Sequence, residues 1–526
     1  MDHTVITSRS SRRGRSAAAL LAVGALLLTG CGSRLTHAEV QAGSALAQTG
    51  AQTGDGSQVG TGAPGHTSAG TSSDLSTSGT TTGGTSGGLT TGSTGTTSGS
   101  GGSSSSGGGT GGTTGGGSTG GGGATAVDVN NLPIFGGTAA CKPATGSPVK
   151  LGNVSTLSGV LGELFSPVVP ALQTFVKSQN ACGGLNGHVI QLVFGDDQGD
   201  PSTAVTVAQR EIQNDHIKAF VGNIQVLTVD AMVKVVHDSG IPIIGSDITN
   251  NTWYTQPLMF PQGSPPQAIS YGYLDAAIRY HHETALGDVY CLEVPQACQQ
   301  IDRAFTELTK TVTIDGKKAS DKKSTQVSIT SPSYTSQCQQ FKDAGVKALA
   351  MTFDAASQKR MVQSCNQVGF HPKLIAYPLG VGNEKQFLGE PLLGNTYIPL
   401  NTFAWMANAT SAEKYYQASV KRFNPGFTTG DAASLGWVSG ALLVKAGAKL
   451  TGNASTTTKE LIDGLYALKG DTLGGLTAPL TFRRGANPKI PYCLFAAISN
   501  KDGSGWQTPV SKPTCTTTRA PSDPNK

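Results

Sequence analysis

The sequence predicts an α/β protein built on parallel sheet, and three observations carry that prediction. Between residues 149 and 251, short apolar runs alternate with longer segments of helical period. The 71 glycines are concentrated before position 137, which leaves roughly 148–508 as compact chain, long enough for two lobes. Polar residues of the alternating region collect just after its apolar runs.

The runs 149–153, 189–194, 219–222 and 241–244 are bounded by Gly, Asp or Pro and read as strands. Between them lie helical patterns at 165–177, at 201–213 with the face Val205, Ala208 and Ile212, and at 229–236. Such alternation implies right-handed crossovers and a parallel sheet. Ligands of open parallel sheets bind beyond the carboxyl ends of the strands, which here are 155–159, 196–197, 223–225 and 245–249.

Upstream, Arg9, Arg12, Arg13 and Arg15 precede an apolar stretch at 17–28, too short to span a bilayer as a helix. It ends in Leu28-Thr29-Gly30-Cys31, which resembles the bacterial lipobox. Residues 1–30 are therefore expected to be a lipoprotein signal peptide for the general secretory route, with Cys31 lipidated. Residues 31–147, dominated by Gly, Ser and Thr, are expected to be a disordered tether. About 100 such residues reach on the order of 55 Å. Gly84-Thr85-Ser86-Gly87-Gly88 matches a nucleophile-elbow pattern, but it lies in low-complexity chain with no strand-to-helix turn to give it meaning.

The net charge of +5 is diluted over 526 residues, and no basic stripe interleaved with aromatics argues for nucleic acid. Besides Cys31 there are eight cysteines: Cys141, Cys182, Cys291, Cys298, Cys338, Cys365, Cys493 and Cys515. An even set without Cys-x-x-Cys in an exported chain points to disulfides rather than metal. Eight cysteines allow on the order of a hundred pairings; proximity suggests Cys141–Cys182, Cys291–Cys298, Cys338–Cys365 and Cys493–Cys515. His281-His282-Glu283 lacks a third ligand at metal spacing and reads as a solvated helix end. No catalytic constellation, metal site or cofactor motif is found, so no enzyme is expected.

Asn180-Ala181-Cys182-Gly183-Gly184-Leu185-Asn186-Gly187, then Asp196-Asp197, Gln198-Gly199-Asp200-Pro201 and the helix through Ala204 and Ile212, resemble type I periplasmic binding proteins. The likeness is greatest to receptors for leucine, isoleucine and valine and to their amide-binding relatives. It continues through Phe220-Val221-Gly222-Asn223, Ile241-Pro242-Ile243-Ile244, Val368-Gly369-Phe370 and Gly380-Val381-Gly382-Asn383, covering about 150–505. The resemblance implies two Rossmann-like lobes with parallel sheets, joined by three hinge segments near 263–266, 400–403 and 474–478. Lobe 1 would comprise 148–265 with 404–475, and lobe 2 would comprise 266–403 with 476–510, before a loose polar tail at 511–526. Lobe 2 would hold strands at 287–292, 324–329, 348–353 and 373–377, with helices at 269–280, 304–308 and 358–367. Helices at 412–423 and 432–448, the second N-capped by Asp431, would return to lobe 1. Segments 474–482 and 492–498 would form a closing strand pair.

The same resemblance places Asn223, Gln225, Asp247 and Thr249 at the crevice, with Thr249 where relatives hydrogen-bond an amino-acid carboxylate. Ser158, in a Ser-Gly loop before a helix, adds backbone N–H groups suited to an anion. Relatives carry an aromatic after the 348–353 strand and an acid before Gly-Val-Gly-Asn; this chain has Asp354-Ala355-Ala356 and Leu379. A serine expected after Asn223 falls near Val226, and a tyrosine expected after the 287–292 strand falls at Ala297. A buried ammonium needs a paired carboxylate. Either Asp354 supplies it or the ligand is not an α-amino acid. Tyr377, with Trp253, Tyr254 and Trp405, is a candidate wall. The implied function is a monomeric, lipid-anchored solute receptor closing over a small-molecule ligand (amino acid, amide or short carboxylate). It would deliver that ligand to the permease of an ABC-type importer at the cell membrane. The alternatives are a sensing module without transport and a tethered cell-envelope enzyme.

Overall fold

The computed structural model describes residues 128–159, 161–510 and 512–526; Cys31 and the rest of 1–127 lie outside them. The first five strands are β1 (Gly146–Ser155), β2 (His188–Asp196), β3 (Phe220–Asn223), β4 (Ile243–Ser246) and β5 (Met259–Phe260). They form one parallel sheet in the order β2-β1-β3-β4-β5. A second sheet repeats this order with β6 (Ala285–Cys291), β7 (Ser320–Val327), β8 (Ala348–Thr352), β9 (Lys373–Ala376) and β10 (Tyr397–Leu400), as β7-β6-β8-β9-β10. Two lobes of one topology result.

The crossover helices of the first sheet are α1 (Val168–Asn180), α2 (Pro201–Gln213) and α3 (Val229–Ser239). α2 starts where the sequence places it, because Asp200 accepts from Thr203 N–H at 2.7 Å and Pro201 presets the first turn. The single helix expected at 165–177 is two, Gly162–Phe165 and α1, divided at Ser166-Pro167. In lobe 2, α4 (Gln267–Asp275), α5 (Pro295–Thr311), α6 (Thr335–Asp343) and α7 (Ala355–Gln367) cover the sheet. The chain then returns, and α8 (Ser411–Phe423), α9 (Asp431–Ala446) and α10 (Thr457–Ala467) join lobe 1, α9 packing on α1, β3 and β4. Every described residue of α9 is buried, as expected of a helix that is apolar on all sides. Its N-cap is Gly430, not Asp431, because Asp431 already lies in the first turn.

The expected pairing of 474–482 with 492–498 does not form. β11 (Lys469–Asp471) pairs with β12 (Leu480–Thr481) as a separate hairpin. β13 (Tyr492–Ser499) is buried along its whole length and runs antiparallel to β10 inside the second sheet. β14 (Trp506–Gln507) and β15 (Thr514–Thr516) flank it. An entirely apolar strand belongs within a covered sheet rather than at an edge.

Both ends of the described chain are more structured than composition predicts. Within 128–147, Ile134 and Phe135 are buried, and the Lys445 ammonium lies 4.4 Å from the Phe135 ring centre. The polar tail is held too: Tyr492 OH donates to Asp523 at 2.9 Å and Arg519 ion-pairs with Asp523 at 2.6 Å. Asn525 reaches the Tyr254 carbonyl and Ser522 N–H reaches Glu307. The disulfides are Cys141–Cys182, Cys291–Cys298, Cys338–Cys365 and Cys493–Cys515. Among the described residues no helix is long and apolar enough to cross a membrane.

Candidate ligand-binding site

Three crossing segments join the lobes and hydrogen-bond to one another. Ser264 Oγ donates towards the Pro491 carbonyl at 2.9 Å and accepts from Cys493 N–H at 2.9 Å. Asn401 Nδ2 donates to the Ser264 carbonyl at 2.9 Å, and Phe403 N–H to the Leu476 carbonyl at 2.9 Å. Thr477 Oγ1 donates to the Gln262 carbonyl. These segments form the floor of a crevice into which strand ends from both sheets open, as the parallel topology requires.

Three of the four polar side chains in the first cavity follow a strand. Thr249 comes just after β4, where Gly245 takes φ +59 and a Cβ would collide with Ser439. Tyr377 follows β9 directly, Asn401 follows β10 directly, and Asp431 comes from the first turn of α9. These four line one cavity with Ile248, Pro266, Ile269, Ile301, Pro378, Leu379 and Leu435. A second cavity, about 40 Å³, shares Tyr377 and Leu379 with the first. Its wall is Leu161, Leu164, Phe165, Val226, Val294, Ala297, Ile329, Phe353, Asp354, Gly380 and the Cys291–Cys298 disulfide. The crevice is thus apolar along its length and polar at one end.

Burial controls the charge at that end. Asp431 is 3% exposed, and loss of water pushes its carboxyl up to about 7 despite the Ser434 hydroxyl. Asp247 is fully buried and pushed up to about 6 by burial, with Thr249 opposing the shift. Burial and the nearby Asp247 raise the Tyr377 phenol.

The other sequence-predicted residues lie elsewhere. Asn223 and Gln225 are buried beneath the crevice in a chain of hydrogen bonds: Asn223 Nδ2 to Gln225 Oε1 at 3.1 Å, and Thr228 Oγ1 to Asp197 at 2.6 Å. Asp247 stands behind Thr249, accepting its hydroxyl at 2.6 Å. Ser158 is exposed on its loop, and its hydroxyl helps hold the Asp196 carboxyl below its usual range against the opposing effect of burial. Asp354 reaches the wall, but both its oxygens are occupied as the cap of α7, by Ser357 N–H at 3.0 Å and Ser357 Oγ at 2.5 Å. Trp253 and Tyr254 pack in the core, and Trp405 packs on Trp506. His281 is not a solvated helix end: its Nε2 lies 3.1 Å from the Leu374 carbonyl, and burial lowers its pKa to about 4. No group of metal ligands occurs among the described residues. Sequence reasoning missed Asn401 and Asp431 as site residues. A lone acid opening a largely apolar helix and a polar residue ending an apolar strand were the available signals.

Two lobes of one topology, three crossings and a crevice at the strand ends coincide with a family model described as "Periplasmic binding protein", which matches residues 148–503. The chain belongs to this family. Among curated relatives, the Leu/Ile/Val-binding protein of Escherichia coli strain K12 is 30% identical over 101 residues, 19% of this chain and 27% of that protein. The matches to the curated relatives span between about a quarter and a third of their length. The substrate-binding protein LivJ of Streptococcus pneumoniae, solved with isoleucine, aligns with a TM-score of 0.58 at 16% identity, over 70% of this chain and 100% of that one. A fatty acid ABC transporter substrate-binding protein from Thermomonospora curvata aligns at 0.60 and 16% identity, over 73% and 97%. At these identities the structures show a shared fold. Val226, Ala297 and Leu379, where the resemblance led to a polar, an aromatic and an acidic residue, stand together in the wall of the second cavity.

Proposed function

We propose that this chain is an extracytoplasmic solute-binding protein that closes over a small ligand with an apolar body and one polar end. It would deliver that ligand to an ABC-type importer while anchored through a lipid on Cys31. One observation carries the reading: two adjoining cavities that share Tyr377 and Leu379, lined from the strand ends of both sheets beside the crossing segments. A ligand touching both lobes binds the closed form preferentially and shifts the population towards it. Support for transport comes from structural neighbours that are substrate-binding proteins of a fatty acid ABC transporter and of a branched-chain amino acid transporter.

The test is a thermal-shift screen of the purified protein over amino acids, amides, aromatic and aliphatic acids and amines, followed by small-angle scattering. A true ligand raises Tm by several degrees and compacts the particle. If no compound does either, the binding reading fails. Uptake of the identified ligand by cells lacking the protein then separates import from sensing, since a sensor's loss leaves uptake intact.

A further inference from the structure

The polar end of the crevice offers mainly lone pairs, the Tyr377 hydroxyl being the one side-chain donor not already used. Asn401 commits its Nδ2 to the Ser264 carbonyl, so the Oδ1 turned into the wall is an acceptor, and among the described residues it has no partner. Thr249 gives both its N–H and its hydroxyl hydrogen to Asp247 Oδ1, at 3.0 and 2.6 Å, leaving only its oxygen lone pairs. Asp431 Oδ1 is buried with no partner among the described residues, and so is Tyr377 OH. The rest of this wall is aliphatic or proline. An unpartnered buried acceptor carries a desolvation penalty that a donor-bearing ligand removes.

Resting on the reading above as a ligand-closing protein, we infer that the ligand's polar head is a primary ammonium or amidinium. Thr249, Tyr377, Asn401 and Asp431 would receive it, while its apolar body runs past Leu379 towards Phe165, Val226 and Phe353. An ammonium brings three donors and no acceptor, which complements this wall. Its charge keeps the Asp431 carboxyl ionised inside the protein. A carboxylate head does the opposite, adding lone pairs to lone pairs and a second negative charge beside Asp431. Asp247, behind Thr249, adds to the same negative field. The donors through which Thr249 was expected to hold a carboxylate are already used within the protein.

The experiment is isothermal titration of the purified protein with amine and carboxylate members of matched series: linear chains of four to ten carbons, and phenyl groups on one- to four-carbon linkers. The expected result is at least tenfold tighter binding of the best amine than of the carboxylate with the same body. Asp431→Asn should reduce amine affinity at least tenfold. Tyr377→Phe, which removes only an unpartnered hydroxyl, should reduce it about threefold and guards against a folding defect in the first variant. If carboxylates bind and amines do not, the head assignment is overturned while the binding reading stands. If neither series binds and no screened compound compacts the particle, both fall.

Discussion

The Glu211 carboxyl sits against the backbone of β1 and β2, where Gly152 and Gly195 leave room for its oxygens. It is fully buried, and burial pushes it up to about 8, although Arg210 lies 3.4 Å away. Its folded pKa is raised, so its contribution to stability is complete below the ordinary carboxylate range and is lost as pH climbs towards 8. Glu211→Gln should therefore matter little near pH 5 and stabilise the protein at pH 9 by on the order of a few kcal/mol. Denaturant unfolding at the two pH values checks this, and a pH-independent difference would count against it. Glu211 was illegible in the sequence because it occupies an ordinary position on an amphipathic helix, and only the folded sheet reveals that its side faces inward. Thr249 and Tyr377 were legible because residues after parallel strands face the crevice. Asp431 was read as a cap because acids at helix starts usually serve there.

Among the elements, α7 depends on its cap. Asp354→Ala removes the acceptor for Ser357 N–H and for the Ser357 hydroxyl. It should cost about 1 kcal/mol of stability and leave ligand affinity within twofold, as read by unfolding and titration side by side. A large affinity loss at unchanged stability would return Asp354 to the site. The first four strands of lobe 1 were legible because short apolar runs ended in Gly, Asp or Pro; β5, two residues long, was not. α6 was not, since Thr335–Asp343 offers only Cys338 and Phe341 to the core. The tail reads as loose by composition, yet Arg519, Asp523 and Tyr492 tie it down through polar contacts that hydropathy does not register.

At the scale of the whole molecule, the lobes meet at the crevice mouth through few polar groups. Asn383 Nδ2 donates to the Glu163 carbonyl at 3.2 Å. Glu384 accepts from Trp405 Nε1 at 2.8 Å and from the Thr429 hydroxyl, while its own N–H donates to the Thr429 carbonyl at 3.0 Å. Glu384→Ala leaves the crevice wall intact but removes acceptors from this closure contact. It should shift the free protein towards open forms by scattering and weaken binding about three- to tenfold. An unchanged particle size and affinity would remove Glu384 from closure. The two-lobe plan was legible from length and the order of motifs. The apolar character of the crevice was not, because its residues come from segments far apart in the chain. Cys291 and Cys298 both stand in that wall, so how the protein is manufactured bears on what it binds. Material made in a reducing cytosol, where disulfides are rare, would leave this wall unlinked. Cys291→Ser with Cys298→Ser should accordingly retain a cooperative melt and lose most of its ligand-induced Tm rise. A ligand screen on cytosolic preparations would then score the oxidation state of the batch.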